Sequence, residues 1–301
     1  MDPKLSPKGA IVVAVVSISF ASIFIKWSQA PALAIATYRL LFATLILLIP
    51  TLAFQRQELF ALTRKECVVL ALVGVALAFH FGFWISSLKY TTVANSVILV
   101  STHPILIAVV SHYYLKERIS MAAGAGVGIA LAGMIIIGFS DFAVSQESVY
   151  GDLLALIGMF ALAAYILSGR RIRQKTSVLP YVTVVYGVAT MALFMSCFIF
   201  NVPLLPYPVE EWVLFLALAI IPMILGHTVY NWTLRYVTAL VVSMSILGEP
   251  ILSAILAYIL LSEVPTNWVI LGGILILVGI YLVASRSREK NPEIQPGSAS
   301  T

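Results

Sequence analysis

Apolar stretches of roughly 20 residues alternate with short polar loops along nearly the whole chain. A helix rises 1.5 Å per residue, so a stretch of about this length crosses the roughly 30 Å of hydrocarbon in a bilayer. Lipid offers no partner to exposed backbone groups, which leaves helices as the spanning elements. The pattern predicts an all-α polytopic membrane protein with ten transmembrane helices. Their predicted ranges are 9–28, 32–54, 66–88, 92–114, 119–139, 149–169, 178–201, 211–235, 238–261 and 266–285.

Prolines interrupt two of these predicted helices. Pro104 and Pro250 lie inside apolar runs, where each removes a backbone N–H donor. We expect a kink at each proline that faces protein or a cavity. Beyond the last span, residues 286–301 are polar and contain Pro, Gly and Ser, which is typical of a disordered tail.

Composition gives an independent argument for lipid as the solvent. The chain is 61% hydrophobic and 10% charged, whereas a soluble domain carries about 25% charged residues. Such a chain cannot cover itself with a polar surface. Its net charge of +5 suggests an acidic partner, but the cations lie in short loops and form no basic face with interleaved aromatic residues. We therefore expect no nucleic-acid partner.

The basic residues also predict an orientation. Of the 18 lysines and arginines, all except Lys26, Lys89 and Arg39 fall on the side of the predicted N-terminus. Short cytoplasmic loops carry the excess of Lys and Arg in membrane proteins. We therefore expect cytoplasmic N- and C-termini, with the chain integral to a prokaryotic cell (inner) membrane.

The sequence matches itself without gaps when it is shifted by 146 residues. Each predicted unit, residues 1–145 and residues 146–285, holds five helices. Because five is odd, the second unit enters the membrane inverted. Inverted repeats recur in secondary transporters, although a duplication can also serve only to enlarge a bundle. The matches are Leu88-Lys89-Tyr90 with Leu234-Arg235-Tyr236, Pro104-Ile105-Leu106 with Pro250-Ile251-Leu252, Leu115 and Glu117 with Leu261 and Glu263, and Gly126 and Gly133 with Gly272 and Gly279.

Several short motifs carry a resemblance over residues 9–285. They are Ala36-Thr37-Tyr38-Arg39-Leu40-Leu41, Leu247-Gly248-Glu249-Pro250, Gly169-Arg170-Arg171, and a Leu-x-Glu at Glu117 and at Glu263. With the duplication, the chain resembles the drug/metabolite transporter superfamily, specifically its EamA-type family. That resemblance implies export or exchange of amino acids, related metabolites or toxic compounds. We therefore expect a secondary transporter of small organic metabolites that works by alternating access at a midplane cavity.

Two candidate residues lie at matched positions in the middle of spans. Glu249 precedes Pro250 and is a candidate to bind a proton or an ammonium group; the alternative is that it braces the kinked helix. His103 precedes Pro104 and is a candidate for a proton-linked pair with Glu249; the alternative is that it pins helix packing. Proton coupling is accordingly a hypothesis.

Other polar groups at bilayer depth complete the candidate site. Arg39 is suited to hold a substrate carboxylate through two hydrogen bonds, or to act as an internal brace. Small residues such as Gly124, Gly126 and Gly128 permit close helix contact within one chain or in a homodimer, which stays open. The remaining candidates for the cavity wall are His80, Trp84, Asn95, Tyr165, Tyr186, His227 and Asn231.

The sequence lacks the motifs of several enzyme classes. It contains no GxxxxGK[ST] loop, no HExxH and no GxSxG, and Cys67 and Cys197 lie far apart without metal-ligand spacing. We expect no catalytic residues, no metal and no cofactor, and a protein that is not an enzyme. The alternatives are a membrane-embedded enzyme that uses the same cavity and a non-transporting membrane scaffold.

Overall fold

The regular structure of the chain is helical wherever the computed structural model describes it, namely residues 7–107, 110, 121–142, 145–236, 242 and 245–286. The predicted tail lies outside the described residues from position 287 onward, as do 108–109, 111–114, 119–120, 238–241 and 243–244 of the predicted spans and the motif residues Leu115 and Glu117. Six helices are long and apolar enough to cross a membrane, and the described part holds shorter apolar helices as well. The predicted class, an all-α polytopic membrane protein, is confirmed. The six are Gly9–Trp27, Ala32–Phe54, Arg64–Ser87, Gln146–Arg173, Val178–Ile199 and Val209–Thr233; the shorter ones are Val93–Ile107, Gly124–Ile137, Gly248–Leu261 and Asn267–Leu282.

We number the helical elements in chain order. They are α1 Pro7–Ser19, α2 Ala21–Trp27, α3 Ala32–Phe54, α4 Arg56–Phe60, α5 Arg64–Ser87, α6 Val93–Val100, α7 Met121–Phe142, α8 Gln146–Arg173, α9 Val178–Ile199, α10 Val209–Leu218, a π-helix Ala219–Thr228, α11 Val229–Thr233, α12 Gly248–Leu261 and α13 Asn267–Arg286.

Helix α8 is longer at both ends than the predicted 149–169. At its start the Ser145 hydroxyl accepts a hydrogen bond from the Ser148 backbone N–H at 3.1 Å, which satisfies a donor that the helix itself leaves unpaired. At its end Arg173 is buried, and its Nε donates to the Asn231 carbonyl at 2.8 Å. Polar contacts rather than apolar composition therefore set the length of this helix.

Two prolines coincide with breaks in the helices. Pro104 cannot donate to the carbonyl of Val100, and the helix that begins at Val93 ends at Val100. The His103 Nδ1 lies 3.2 Å from that carbonyl oxygen. In the second half, Pro250 likewise cannot donate a hydrogen bond to the Ile246 carbonyl. That carbonyl instead accepts a hydrogen bond from the Glu249 backbone N–H at 2.8 Å. The residue before each proline thus satisfies the carbonyl that the proline frees.

Helices α7 and α13 pack with their backbones in contact. A methyl group at Gly133 would lie 2.5 Å from the Gly272 carbonyl oxygen, and one at Gly279 would lie 2.5 Å from the Gly126 carbonyl oxygen. Residue numbers rise in one helix as they fall in the other, so the two helices are antiparallel. Gly126 and Gly133 correspond to Gly272 and Gly279 under the 146-residue shift, so the shift converts one of these two contacts into the other.

The other helix pairings follow the same shift. Helix α5 packs along α8, and α1 packs along the π-helix, which are counterpart pairings. Helix α3 packs along α9, which is its own counterpart, and α6 packs against α12, which lies within the counterpart of the predicted span 92–114. Elements of both halves therefore meet in the centre of the molecule, where the candidate site lies.

Candidate functional site

A cavity of about 40 Å³ lies between elements of both halves. A water molecule needs roughly 10–15 Å³ of such space, so the cavity has room for about three. Of the candidates from the sequence, six line it: His80, Trp84, Tyr165, His227, Asn231 and Glu249. The sequence analysis missed the remaining lining residues, which are Tyr230 and the apolar Ile18, Val100, Leu162, Ile166, Leu234, Val242 and Ile246.

Tyr230 shares a helical face with two candidates that the sequence did identify. His227, Tyr230 and Asn231 are related by steps of three and four residues, which bring side chains to one side of a helix. That spacing is the signal from which Tyr230 was predictable. The apolar lining residues carry no such signal, because apolar side chains occupy every face of these helices.

Asn231 connects three elements around the cavity. Its Nδ2 donates to the Tyr165 hydroxyl at 2.5 Å and to the His227 carbonyl at 2.8 Å, and lies 3.4 Å from the Tyr186 hydroxyl. The Tyr186 and Thr228 hydroxyls are 3.1 Å apart. Tyr186 therefore joins the site through Asn231, although it does not line the cavity. The result is a neutral hydrogen-bonded cluster that ties α8 and α9 to the helix that bears Asn231.

His80 is fixed against α8. Its Nδ1 lies 3.0 Å from the Gly158 carbonyl oxygen, and its ring stacks on Trp84 with centroids 5.8 Å apart. The ring of His227 lies 6.4 Å from that of His80. Gly158 permits this approach, because a methyl group there would lie 3.2 Å from the Trp84 backbone nitrogen.

Glu249 lines the cavity and is 9% exposed. Within the described part of the chain, its carboxylate makes no hydrogen bond and no ion pair. An ionised group in the middle of a span costs about 2.5–3.5 kcal/mol on insertion scales. An unpaired carboxylate at this depth is therefore a place where a proton or a cation is stabilised.

Arg39 is fully buried and does not line the cavity, but it lies next to Trp84, which does. Its guanidinium carbon lies 4.2 Å above the Phe81 ring and 6.0 Å from the ring of Trp84. Its three side-chain nitrogens have no hydrogen-bond partner among the described residues. The guanidinium lies within electrostatic range of Glu249, yet the two form no ion pair within 4.0 Å. Among the described residues, Arg39 thus makes no hydrogen bond or ion pair of the kind that an internal brace would use.

The structure does not bring His103 or Asn95 to the cavity wall. The His103 Nδ1 is occupied at the Val100 carbonyl, while its Nε2 has no partner in the described part of the chain. Both side-chain polar atoms of Asn95 are buried, and they too lack a partner there. No direct contact between His103 and Glu249 is present among the described residues.

Four charged side chains at or beside helix ends lie near one another: Lys26, Lys89, Glu211 and Glu263, which we call the lysine–glutamate cluster. Lys26 Nζ donates to the Thr91 carbonyl at 2.9 Å and lies 3.4 Å from Glu263 Oε1. Glu263 Oε2 in turn accepts from the Val93 backbone N–H at 2.9 Å, at the start of α6. This part of the cluster joins the end of α2 to the segment that follows α12, and so joins the two halves.

The other part of the cluster uses Lys89 and Glu211. Lys89 Nζ donates to the Ser28 carbonyl at 2.7 Å, and Glu211 accepts from the Gln29 backbone N–H at 2.6 Å and from the Ser28 hydroxyl. Partial burial lowers the pKa of Lys89, and the Glu211 carboxylate acts in the opposite direction. Both contacts hold the α2–α3 connection against neighbouring helix ends.

Aromatic side chains pack together where α3 meets the first turns of α10. The Tyr38 ring lies 4.9 Å from the rings of both Trp212 and Phe215, and the Tyr38 hydroxyl donates to the Leu204 carbonyl at 2.6 Å. Leu234 and Val242, which follow α11, also line the cavity.

Comparison with known proteins gives a family match in both halves. The model of the EamA-like transporter family matches residues 8–139 and again residues 149–285. A transporter of Archaeoglobus fulgidus is 28% identical over 228 residues, which are 73% of this chain and 76% of that protein. The Bacillus subtilis transporter YetK is 28% identical over 272 residues, 86% of this chain and 80% of that protein.

A third relative has a named cargo, and one solved structure has a similar shape. The pseudopaline exporter CntI of Pseudomonas aeruginosa PAO1 is 26% identical over 260 residues, which are 86% of this chain and 88% of that protein. A crystal structure of a protein that is 21% identical superposes with a TM-score of 0.65, covering 93% of this chain and 96% of that chain. At that identity the likeness shows the fold alone.

Proposed function

The chain belongs to the EamA-like transporter family, and from that premise we propose that it is a secondary transporter that exports or exchanges small organic metabolites by alternating access. Its relatives are named as transporters. A membrane transporter, rather than an enzyme, is therefore the class that the comparisons support. Export as the direction draws support from the named exporter among the relatives.

The proposed architecture is two inverted five-helix repeats, residues 1–145 and 146–285. The twofold match of one family model supports the duplication. The antiparallel α7–α13 pair supports the inversion, because the contacts Gly133–Gly272 and Gly126–Gly279 interchange under the 146-residue shift. Two such units can rock about a central site and expose it to either side of the membrane. We further propose a prokaryotic cell (inner) membrane with cytoplasmic termini.

The small cavity and the contacts between the two halves support alternating access. The lysine–glutamate cluster joins the two halves, and the cavity is too small for a metabolite, since ligand pockets are roughly 300–1,000 Å³. A transported molecule enters only after helices separate. This conformation accordingly corresponds to a closed stage of the cycle, and the cluster to contacts that break when the site opens.

One observation carries the proposed substrate chemistry: Glu249 is the carboxylate on the cavity wall, and it has no protein partner among the described residues. Trp84, Tyr165 and Tyr230 line the same cavity, and aromatic faces together with a carboxylate stabilise an organic cation. We therefore assign Glu249 to the ammonium group of an amino acid or a related compound. A proton competes for the same carboxylate, which gives a route to proton coupling, with His103 as a second candidate.

The test is exchange by purified protein in liposomes that contain a mixture of the standard amino acids, with an imposed pH gradient and mass-spectrometric detection. Glu249→Gln removes the charge, and we expect gradient-driven exchange to fall on the order of 30-fold or more, as for other losses of a buried charge partner. Glu249→Asp keeps the charge and is expected to retain partial activity.

The matched control is Glu147→Gln, which removes an exposed carboxylate in the first turn of α8, away from the cavity. We expect it to behave as the unaltered protein. His103→Ala tests the second candidate. Full gradient-driven exchange in both Glu249→Gln and His103→Ala would remove proton coupling through these residues, and absence of any flux in the unaltered protein would remove the transport of amino acids.

A further inference from the structure

Two buried charges of opposite sign, Arg39 and Glu249, lie within electrostatic range of each other but form no ion pair. Arg39 has no exposed surface and no hydrogen-bond partner for its three side-chain nitrogens in the described part of the chain. Glu249 has no partner for its carboxylate there, and the rings of Phe81 and Trp84 lie beside the guanidinium. A buried guanidinium has five donors in a rigid fork, and leaving them unsatisfied is costly. The two charges sum to zero, but no direct contact joins the guanidinium to the carboxylate.

Charge counting then limits what the cavity accepts. With the histidines counted as neutral, Arg39 and Glu249 sum to zero. A simple amine that pairs with Glu249 leaves the charge of Arg39 uncompensated in a medium of low dielectric. A molecule that carries both an ammonium and a carboxylate group keeps the sum at zero and supplies each buried charge with an opposite one.

The cavity wall adds a second, independent observation. Trp84 Nε1 and the Tyr230 hydroxyl both belong to cavity-lining side chains, both are buried, and neither has a hydrogen-bond partner among the described residues. Indole N–H is a donor only, and a phenol donates readily. Together with the guanidinium, these groups form a set of unmet donors beside a single carboxylate. Such a set is satisfied by an acceptor-rich, negatively charged group on the ligand.

We propose that Arg39 is a specificity-determining residue that binds the carboxylate of the transported molecule, so that zwitterions are preferred over amines of the same shape. This rests on the proposed function, in which Glu249 binds the ammonium group. The guanidinium carbon lies 6.0 Å from the ring of Trp84, which lines the cavity. A change of rotamer at Arg39 brings its fork past that ring when the site is occupied. In the present conformation the guanidinium lies on the face of the Phe81 ring.

The test compares amino acids with their carboxamides, which keep the ammonium group and the shape but lose the negative charge. Liposomes containing the protein exchange either a mixture of the standard amino acids or the matching mixture of amino acid amides, with flux measured above that of protein-free liposomes. The unaltered protein is expected to prefer the acids on the order of 10- to 100-fold, the range of a hydrogen-bonded charge contact. Arg39→Gln is expected to lower acid flux, to leave amide flux, and so to bring the ratio close to one.

Arg39→Lys keeps a cation without the two-pronged geometry, so we expect an intermediate ratio. It also serves if Arg39→Gln fails to fold, which size-exclusion chromatography of the purified variant reveals. Glu147→Gln again serves as the control with an unchanged ratio. An unaltered protein that carries amides as well as acids contradicts the proposal, and so does a fall in both fluxes by the same factor in the Arg39 variants. If the unaltered protein carries neither mixture, the proposed function itself fails.

Discussion

Two helices occupy corresponding places in the two halves, yet their backbones differ. Helix α5 is α-helical throughout, and it starts with a capping box in which Thr63 and Glu66 satisfy each other's backbone donors. Its counterpart starts as α10, becomes a π-helix over Ala219–Thr228 and ends as α11. The π-helix contains Pro222, whose counterpart in α5 is Ala76.

Pro222 gives a physical reason for the difference. Proline inside an α-helix lacks a donor and clashes with the carbonyl four residues earlier, whereas the wider π-turn, with bonds five residues apart, makes room for it. The Thr228 hydroxyl donates to the Met223 carbonyl at 3.1 Å, which satisfies one carbonyl of the altered ladder. The residues that follow are thereby turned relative to an α-helical continuation.

The consequence is a site that is less symmetric than its scaffold. His80 corresponds to Gly226 under the 146-residue shift, and His227 corresponds to Phe81, yet the two histidine rings lie 6.4 Å apart at the cavity. The first half supplies a histidine that is fixed to a neighbouring helix. The second half supplies Asn231, which organises the tyrosines. Corresponding helices therefore place different polar side chains at the cavity. Such an asymmetric site suits a ligand whose two ends differ chemically.

The largest effect is expected from joining the two halves covalently across the lysine–glutamate cluster. Lys26→Cys and Glu263→Cys, in a background of Cys67→Ser and Cys197→Ala, place thiols at two positions whose native side chains lie 3.4 Å apart. A short thiol-specific cross-linker should abolish exchange, because the halves can no longer separate at the cluster, and reduction of the cross-link should restore it. Each single-cysteine variant treated in the same way is the control. Undiminished exchange in fully cross-linked protein would show that the halves stay joined at the cluster during transport.

A smaller effect, on stability, should follow from placing the proline in the regular helix. Ala76→Pro introduces the clash into α5 and is expected to cost about 3 kcal/mol, measured as a large fall in melting temperature in detergent. Pro222→Ala in the π-helix is expected to cost less than about 1 kcal/mol but to slow exchange, because an α-helical continuation turns Asn231 away from the tyrosines. If both variants lose stability equally, the π-helix is not an adaptation to Pro222.

The smallest of the three effects is expected at Asn231. Asn231→Leu removes the hydrogen bonds to Tyr165 and His227 and leaves buried groups unsatisfied, at a cost of roughly 2 kcal/mol. The counterpart position is Ile85, which is buried and apolar. Ile85→Leu is expected to cost less than about 1.5 kcal/mol, as volume-conserving changes do. Melting temperatures of the two variants decide the point, and equal falls would argue against a special role for the Asn231 cluster.

Much of the scaffold was predictable from the sequence, because the cost of unpaired backbone in lipid leaves helices as the answer for each apolar run. The breaks at Pro104 and Pro250 follow from the missing N–H of proline. The extension of α8 to Arg173 was not predictable from hydropathy, since it depends on a hydrogen bond to a carbonyl in another helix. The π-helix was also missed, since Pro222 in an apolar run is equally compatible with a kink.

The site was less accessible to sequence reasoning for a physical reason. Helices that are apolar on every side do not reveal which face meets the cavity, so depth in the span was the main guide. Depth correctly placed His80 and Glu249 among the residues that line the cavity. It does not separate them from Arg39 or His103, which lie at similar depth but behind an aromatic ring or against a helix carbonyl.

The contact between α7 and α13 bears on how such a chain can evolve. Gly133 touches the carbonyl of Gly272, and Gly279 touches the carbonyl of Gly126, so each ancestral position meets the descendant of the other. A larger side chain at any of these positions would clash with the backbone of the facing helix. No compensating substitution can remove that clash, because backbone atoms are present whatever the residue. Under the proposed duplication, genetic drift is therefore free to diversify the cavity walls, whereas these four positions have to be kept together.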